Sequence, residues 1–143
     1  MPKLTVTEYL MGREKKYATS LSVQILKNAE VLVGKLNRLL ARADDAGVTF
    51  EINPVTKTIL NSGWRPPAVN ATTKGAAVNS KHMTGEAVDV YDPDGDLDEW
   101  LLSEDGQEAL EDIGLWMEHP AATKGWSHLQ TKPPRSGRRI FYP

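Results

Sequence analysis

Residues 80–91, which read Ser-Lys-His-Met-Thr-Gly-Glu-Ala-Val-Asp-Val-Tyr, decide how the middle of this chain folds. The second half of this stretch, residues 87–91, is mostly apolar and β-branched, which predicts a strand. Asp89 lies inside that strand, and burying a carboxylate is unfavourable unless it is paired, hydrogen-bonded or bound to a metal. Gly85 permits a tight turn, so His82 can return toward the strand face that carries Asp89. The stretch therefore predicts a site that combines an imidazole with a carboxylate.

The third ligand of such a site, a second imidazole nitrogen, has two candidates, because the chain contains three histidines and no cysteine. One is His119, which precedes a proline, and the other is His128, which lies in a short segment predicted as the last strand, residues 125–130. Two histidines and one carboxylate, with a fourth position left to water, are typical of a catalytic zinc site. Imidazole ligands favour zinc over calcium or magnesium, which prefer oxygen.

The sequence on either side of this stretch predicts an α+β fold. Apolar residues recur at three- and four-residue steps over residues 22–43, which indicates an amphipathic helix capped by Ser20 or Ser22 and ended by Gly47. The other assignments are a short helix at 6–11, strands at 48–53 and 58–65, a surface loop at 66–79 and helical periodicity over 97–113. We expect a small single domain in which N-terminal helices pack on a short antiparallel sheet that carries the His/Asp/His site.

Length and charge limit the organisation and the partners. A chain of 143 residues predicts one domain, 1–143, with a helical scaffold (1–47), the sheet and active site (48–131) and an irregular basic tail (132–143). The formal net charge is −2, so no overall positive field favours nucleic-acid binding. No apolar stretch approaches the ~20 residues of a membrane span, and we expect no stable membrane insertion. We also expect a monomer.

Three motifs occur in a characteristic order along the chain. They are S-G-W-R at residues 62–65, S-x-H-x-x-G-x-A-x-D at 80–89 and W-x-H at 126–128. Their combination resembles the LAS-type zinc peptidases, which include D-alanyl-D-alanine carboxypeptidases, L-alanyl-D-glutamate endopeptidases and related phage endolysins. The resemblance implies a Zn²⁺ cofactor and a peptidase that cleaves peptides of bacterial peptidoglycan.

The resemblance also implies roles for individual residues. It matches His82, Asp89 and His128 to the three metal ligands of the family. It matches Arg65 to an arginine near the substrate and Ser80 to a serine that lines the cleft. An arginine fork suits bidentate binding of a carboxylate, and peptidoglycan stem peptides carry carboxylates at D-glutamate and at the terminal D-alanine.

The sequence departs from the family pattern at the catalytic acid. Many members have a glutamate three residues before the last histidine ligand, where this chain has Gly125. A zinc peptidase needs a carboxylate that accepts the proton of the attacking water and passes it to the leaving amine. Glu118 is the nearest acid upstream of His128, and we expect it to be this base if residues 119–125 fold away from the site. The alternative is that Glu118 only ends a helix.

Two further residues are candidates for substrate binding. His119 could contact the substrate or the developing oxyanion, although a loop residue without such a role is the simpler interpretation. Trp126 could line the cleft or belong to the core.

Three hypotheses about function follow from these residues. The first is a zinc peptidase of peptidoglycan stem peptides, of the phage-endolysin type. The second is a non-catalytic, zinc-stabilised binding module or phage structural module of the same fold, which the glycine at position 125 motivates. The third is a zinc carboxypeptidase or dipeptidase that acts on small D-amino-acid peptides. The N-terminal residues lack the apolar region of a secretory signal, so we expect synthesis in the host cytoplasm and action on the cell wall.

Overall fold

In the computed structural model, which describes residues 3–143, five strands form one sheet in the order β1-β2-β4-β3-β5. The strands are β1 (Leu60–Ser62), β2 (Ala87–Tyr91), β3 (Trp116–Glu118), β4 (Trp126–Gln130) and β5 (Ile140–Phe141). The pairings of β1 with β2, β2 with β4 and β4 with β3 are antiparallel, whereas β3 and β5 run parallel at one edge. The central pair, β2 and β4, carries the segments predicted as strands around Asp89 and His128.

Residues 3–143 also form six α-helices and two short 3₁₀ turns. The helices are α1 (Val6–Leu10), α2 (Arg13–Lys16), α3 (Val23–Asp45), α4 (Pro67–Thr72), α5 (Asp96–Leu102) and α6 (Glu104–Ile113), and the 3₁₀ turns are Ala18–Ser20 and Pro120–Ala122. Helix α3 begins where the Ser22 hydroxyl accepts a hydrogen bond from the Ile25 N–H at 3.0 Å. It is followed by Gly47 at φ 93°, as the sequence predicts. Within residues 3–143 no helix is both long and apolar enough to cross a membrane.

The core lies between one face of the sheet and the helices. Val88, Val90 and Leu129 alternate along the central strands and pack in one cluster with apolar residues of α3 such as Leu32 and Leu36, all fully buried. The opposite sheet face carries Asp89 and His128 and faces the functional site. The predicted α+β fold, with helices packed on a sheet that carries the His/Asp/His group, is confirmed. The parallel pair at the edge makes this sheet mixed.

The strand predicted at residues 48–53 does not form. Its alternation of apolar and polar residues is real, but Ile52 is 60% exposed and the segment pairs with none of the five strands. The Val48 N–H instead donates to the carbonyl of Ala43 at the end of α3. Asn53 and Thr58 close a turn by a backbone hydrogen bond of 2.8 Å. A period of two produces a strand only when a neighbouring strand satisfies the backbone.

Two segments that the sequence predicts to be irregular contain regular secondary structure. Residues 67–72 of the predicted loop 66–79 form α4, because Pro67 occupies the first turn of the helix, where its missing N–H costs nothing. The tail 132–143, expected to be irregular, ends in β5, where Ile140 aligns with Met117 and Phe141 with Glu118. This last strand places the end of the chain beside the functional site.

Candidate metal centre

Strand pairing brings two of the predicted ligands face to face. Asp89 on β2 lies directly opposite His128 on β4, and residues directly opposite in an antiparallel pair share a face. His82 precedes β2 in a turn that Gly85 makes possible at φ 76°. A Cβ at Gly85 would lie 2.7 Å from the carbonyl oxygen of Ile25, so the turn packs tightly on α3. The His82 ring is thereby held over the sheet.

The three side chains form a compact cluster. Asp89 Oδ1 lies 2.8 Å from His128 Nδ1, and Asp89 Oδ2 lies 3.3 Å from His82 Nε2. The side chains of His82, Asp89 and His128 are 2%, 10% and 14% exposed. One ligand atom from each residue lies within 4.8 Å of the others. Such spacing suits a single ion bound by all three.

The chemistry of this donor set fits zinc. His82 Nδ1 lies 2.9 Å from the carbonyl oxygen of Gly63, which can only accept, so Nδ1 carries the ring hydrogen. The lone pair on His82 Nε2 therefore faces the carboxylate of Asp89. Two groups that both accept hydrogen bonds are held together favourably when a cation lies between them. Two imidazole nitrogens and one carboxylate oxygen are ligands that zinc takes at catalytic sites.

The electrostatics keep the carboxylate ionised. Burial by itself raises the pKa of Asp89, but when the two histidines are protonated the charge of His82 and the hydrogen bonds from both rings hold this pKa well below its ordinary value. Burial opposes charge on His128 as well, yet the hydrogen bond and the charge of Asp89 outweigh it and raise the His128 pKa. The cluster thus presents an anionic ligand between two imidazoles.

A cavity of about 410 Å³ opens over the cluster. His82, Asp89 and His128 line its floor together with Glu118. Three cationic side chains also line it: Arg65, Lys74 and Lys81. This volume falls within the range of small-molecule and peptide sites. The cavity therefore combines a metal-binding group with positive charge for an anionic ligand.

Glu118 reaches this cavity from β3. The register pairs Met117 with Leu129, so Glu118 is the next residue of β3 toward His128 on the antiparallel neighbour. Met117 is buried in the core, and Glu118 therefore lies on the site face. Burial raises the pKa of Glu118, and the negative charge of Asp89 adds to the rise, while His128 and His82 oppose it. A carboxyl with a raised pKa is suited to proton transfer near neutral pH.

Arg65 and Ser80 lie together at the cavity wall. The guanidinium Nη2 of Arg65 donates to the hydroxyl oxygen of Ser80 at 3.2 Å, and this oxygen also accepts from the His82 N–H at 3.2 Å. The Arg65 N–H donates to the His82 carbonyl, which ties the S-G-W-R motif to the histidine turn. Burial lowers the Arg65 pKa, and Asp89 opposes the shift. The side chain remains a cation at neutral pH.

Comparison with known protein families matches residues 18–119, more than half of the chain, to Peptidase M15. The chain belongs to the Peptidase M15 family. Membership makes it a zinc-dependent metallopeptidase, in agreement with the His/Asp/His group. No curated protein and no solved structure gives a significant match.

The family match includes His82, Asp89 and Glu118 and ends before His128. The tertiary structure adds His128 through the pairing of β2 with β4. In this M15 peptidase the 3₁₀ turn Pro120–Ala122 occupies the connection between β3 and β4. Glu118 lines the same cavity as the cluster, although position 125 is a glycine. Its role as the catalytic base stays a prediction.

The remaining predicted site residues separate into two groups. Trp126 lines the cavity, as expected for a cleft residue. His119 is not among the lining residues. Its ring stacks on Tyr142 at a centroid distance of 4.8 Å, and its Nδ1 accepts from the Ala121 N–H. A contact of His119 with substrate stays a prediction that this placement does not favour.

Several cavity residues carry no role in the sequence-based prediction. Lys74 and Lys81 come from the loop and turn between α4 and β2, and Phe141 comes from β5. Gln130 lies 2.9 Å from His128 Nε2 through its side-chain oxygen. The period of two along β4 places Gln130 on the His128 face, and that signal was available in the sequence. The proximity of Phe141 depends on a pairing between distant segments and leaves no local signal.

Proposed function

We propose that this M15 peptidase hydrolyses peptide bonds of bacterial peptidoglycan stem peptides. The candidate bonds are the L-alanyl-D-glutamate bond, cleaved by a phage-type endolysin, and the terminal D-alanyl-D-alanine bond. The observation that supports the proposal most directly is the charge of the cavity. Arg65, Lys74 and Lys81 line the wall around the metal-binding cluster, and stem peptides are anionic through D-glutamate and their terminal carboxylate. Action on the cell wall after synthesis in the host cytoplasm belongs to the same proposal.

The metal-binding residues and Glu118 have different roles in the proposed hydrolysis. Zinc, when bound by His82, Asp89 and His128, supplies Lewis-acid activation of water and of the scissile carbonyl. The Glu118 carboxylate accepts the proton of the attacking water and delivers it to the nitrogen of the leaving amine, so the peptide C–N bond breaks as a C–O bond forms.

Arg65 binds a substrate carboxylate. Its guanidinium already donates to Ser80, which orients the fork at the cavity wall. Its Nε atom is buried and has no hydrogen-bond partner within the described chain. A bidentate contact with a carboxylate would give Arg65 an anionic partner in addition to the Ser80 hydroxyl. Lys74 and Lys81 add positive charge at the same cavity.

The experiment is digestion of purified peptidoglycan followed by mass spectrometry of the released fragments. The new termini identify the bond: a free L-alanine carboxyl with a new D-glutamate amine indicates the endopeptidase, and release of D-alanine indicates the carboxypeptidase. His82→Ala provides a control that loses zinc, and Glu118→Gln provides a control that retains zinc with an uncharged side chain of the same size.

Other outcomes would overturn the proposal. Bound zinc without fragments from any peptidoglycan would favour the non-catalytic module. Cleavage of soluble D-amino-acid dipeptides without cleavage of peptidoglycan would favour the small-peptide enzyme. Equal digestion by His82→Ala and the unaltered protein would show that the cluster is not the catalytic centre.

A further inference from the structure

The side-chain amide of Gln130 is held at both of its polar atoms. Its nitrogen Nε2 lies 2.8 Å from the carbonyl oxygen of Lys132, and its oxygen Oε1 lies 2.9 Å from His128 Nε2. A carbonyl oxygen only accepts hydrogen bonds, so the amide nitrogen must face Lys132. The amide oxygen then necessarily faces the imidazole. Gln130 is 6% exposed, and burial limits its other orientations.

This orientation determines where the ring hydrogen of His128 lies. The amide oxygen of Gln130 only accepts, so His128 Nε2 must carry the hydrogen and donate it. The other ring nitrogen, Nδ1, is then the atom that a metal can bind, in place of the hydrogen that it donates to Asp89 when the imidazole is protonated. Nδ1 is also the atom that faces Asp89, at 2.8 Å. The two contacts of His128 therefore assign Nε2 to Gln130 and leave Nδ1, which is beside Asp89, for zinc.

The turn after β4 is itself anchored. The Thr131 N–H donates to the carbonyl of Glu86 at 3.0 Å, just before β2. The Lys132 ammonium lies 3.7 Å from Glu86 Oε2. These contacts hold the Lys132 carbonyl that orients the Gln130 amide. Beside the cluster, β2 and β4 are thus connected by these two contacts in addition to the backbone hydrogen bonds between the strands.

We propose that Gln130 is a positioning residue for zinc: it holds His128 as the Nε2–H tautomer and so directs Nδ1 to the metal. In this role Gln130 acts through His128 and is not itself a ligand of the ion. Hydrogen bonds to the second nitrogen of a ligand histidine raise metal affinity and set ring orientation, and losing one costs about 10–100-fold in affinity. The inference depends on zinc binding by the family site and not on which peptide bond is cleaved.

The first test compares zinc affinity in Gln130→Leu and Gln130→Glu by competition with a chromogenic chelator. Leucine removes the acceptor, and we expect zinc to bind about 10–100-fold more weakly. Glutamate keeps an oxygen for the His128 Nε2–H, so its affinity should stay closer to that of the unaltered protein. Gln24→Leu, on the exposed side of α3, makes the same chemical change outside the cavity lining and should leave affinity unchanged.

The second test requires no substitution. Long-range ¹H–¹⁵N correlation spectra of zinc-loaded protein with labelled histidine distinguish the two ring nitrogens. We expect zinc on Nδ1 and hydrogen on Nε2 of His128, with the converse arrangement for His82. Zinc on Nε2 of His128, or undiminished zinc affinity in Gln130→Leu, would overturn the proposal. Neither readout depends on a substrate, so a failed digestion of peptidoglycan would leave this inference intact.

Discussion

Replacing Asp98 with asparagine is expected to stabilise the protein at neutral pH. Asp98 lies in the first turn of α5 and is only 8% exposed. Burial raises its pKa from 3.8 to about 6; the hydrogen bond from Ser127, 2.7 Å long, opposes the rise, and the charge of Asp92 adds to it. At pH 7 the folded protein therefore holds an ionised carboxylate where the neutral form is preferred.

The magnitude follows from the difference between the two pKa values. As the pH rises, the unfolded chain loses the Asp98 proton near pH 3.8 and the folded chain near pH 6. The free energy of unfolding therefore falls across that interval, and the loss is complete above about pH 6. A shift of about two pKa units corresponds to about 3 kcal/mol at 1.36 kcal/mol per unit. Asparagine has no charge to bury, and its side-chain oxygen still accepts from Ser127.

The assay is denaturant unfolding of the metal-free protein and of Asp98→Asn between about pH 3.5 and pH 7.5. The difference in unfolding free energy should approach 3 kcal/mol at neutral pH and shrink toward zero near pH 3.5. Asp112→Asn removes the same charge from an exposed pair with Arg42 and should change stability by less than about 1 kcal/mol. A variant no more stable than the unaltered protein at pH 7, or a gain independent of pH, would refute the reasoning.

Three other predictions concern catalysis, the packing of two glycines and zinc binding. Glu118→Gln should keep zinc and lower kcat by about 10²–10⁴-fold, as shown by metal content and turnover; normal turnover would exclude Glu118 as the base. Gly63→Ala should lower the free energy of unfolding, measured in denaturant, because its Cβ would collide with the Tyr9 carbonyl. Gly34→Ala has open space around its Cβ, so its free energy of unfolding should be unchanged or higher by up to about 1 kcal/mol. Removing zinc by chelation should lower the Tm, and zinc at 100 times its Kd should restore about 2.7 kcal/mol; an unchanged Tm would contradict binding to the folded state.

Glu118, the predicted substitute for the usual family glutamate, shows how sequence and structure contribute differently. Spacing along the chain points away from Glu118, because Gly125 holds the expected position. Strand pairing brings Glu118 to the site, since β3 aligns beside β4 and continues toward His128. The family spacing alone would thus miss Glu118, whereas its place as the nearest acid upstream of His128 points to it.

The sequence by itself determined the parts whose signals are local. Helical periodicity and a serine cap identified α3, and the apolar run around Asp89 identified β2. The short alternating segment around His128, bounded by glycine and proline, identified β4. The motif residues identified a zinc peptidase family, because metal ligation demands particular side chains at particular positions.

The tertiary structure decided what depends on distant partners. The alternating segment 48–53 found no strand to pair with. Trp116–Glu118 became a strand because it pairs with β4 on one side, and Ile140–Phe141 became a strand because it pairs with Trp116–Glu118 on the other. The orientation of the Gln130 amide depends likewise on a carbonyl held by the turn after β4. Periodicity records which face of a segment is apolar, but backbone pairing depends on what the folded chain places alongside it.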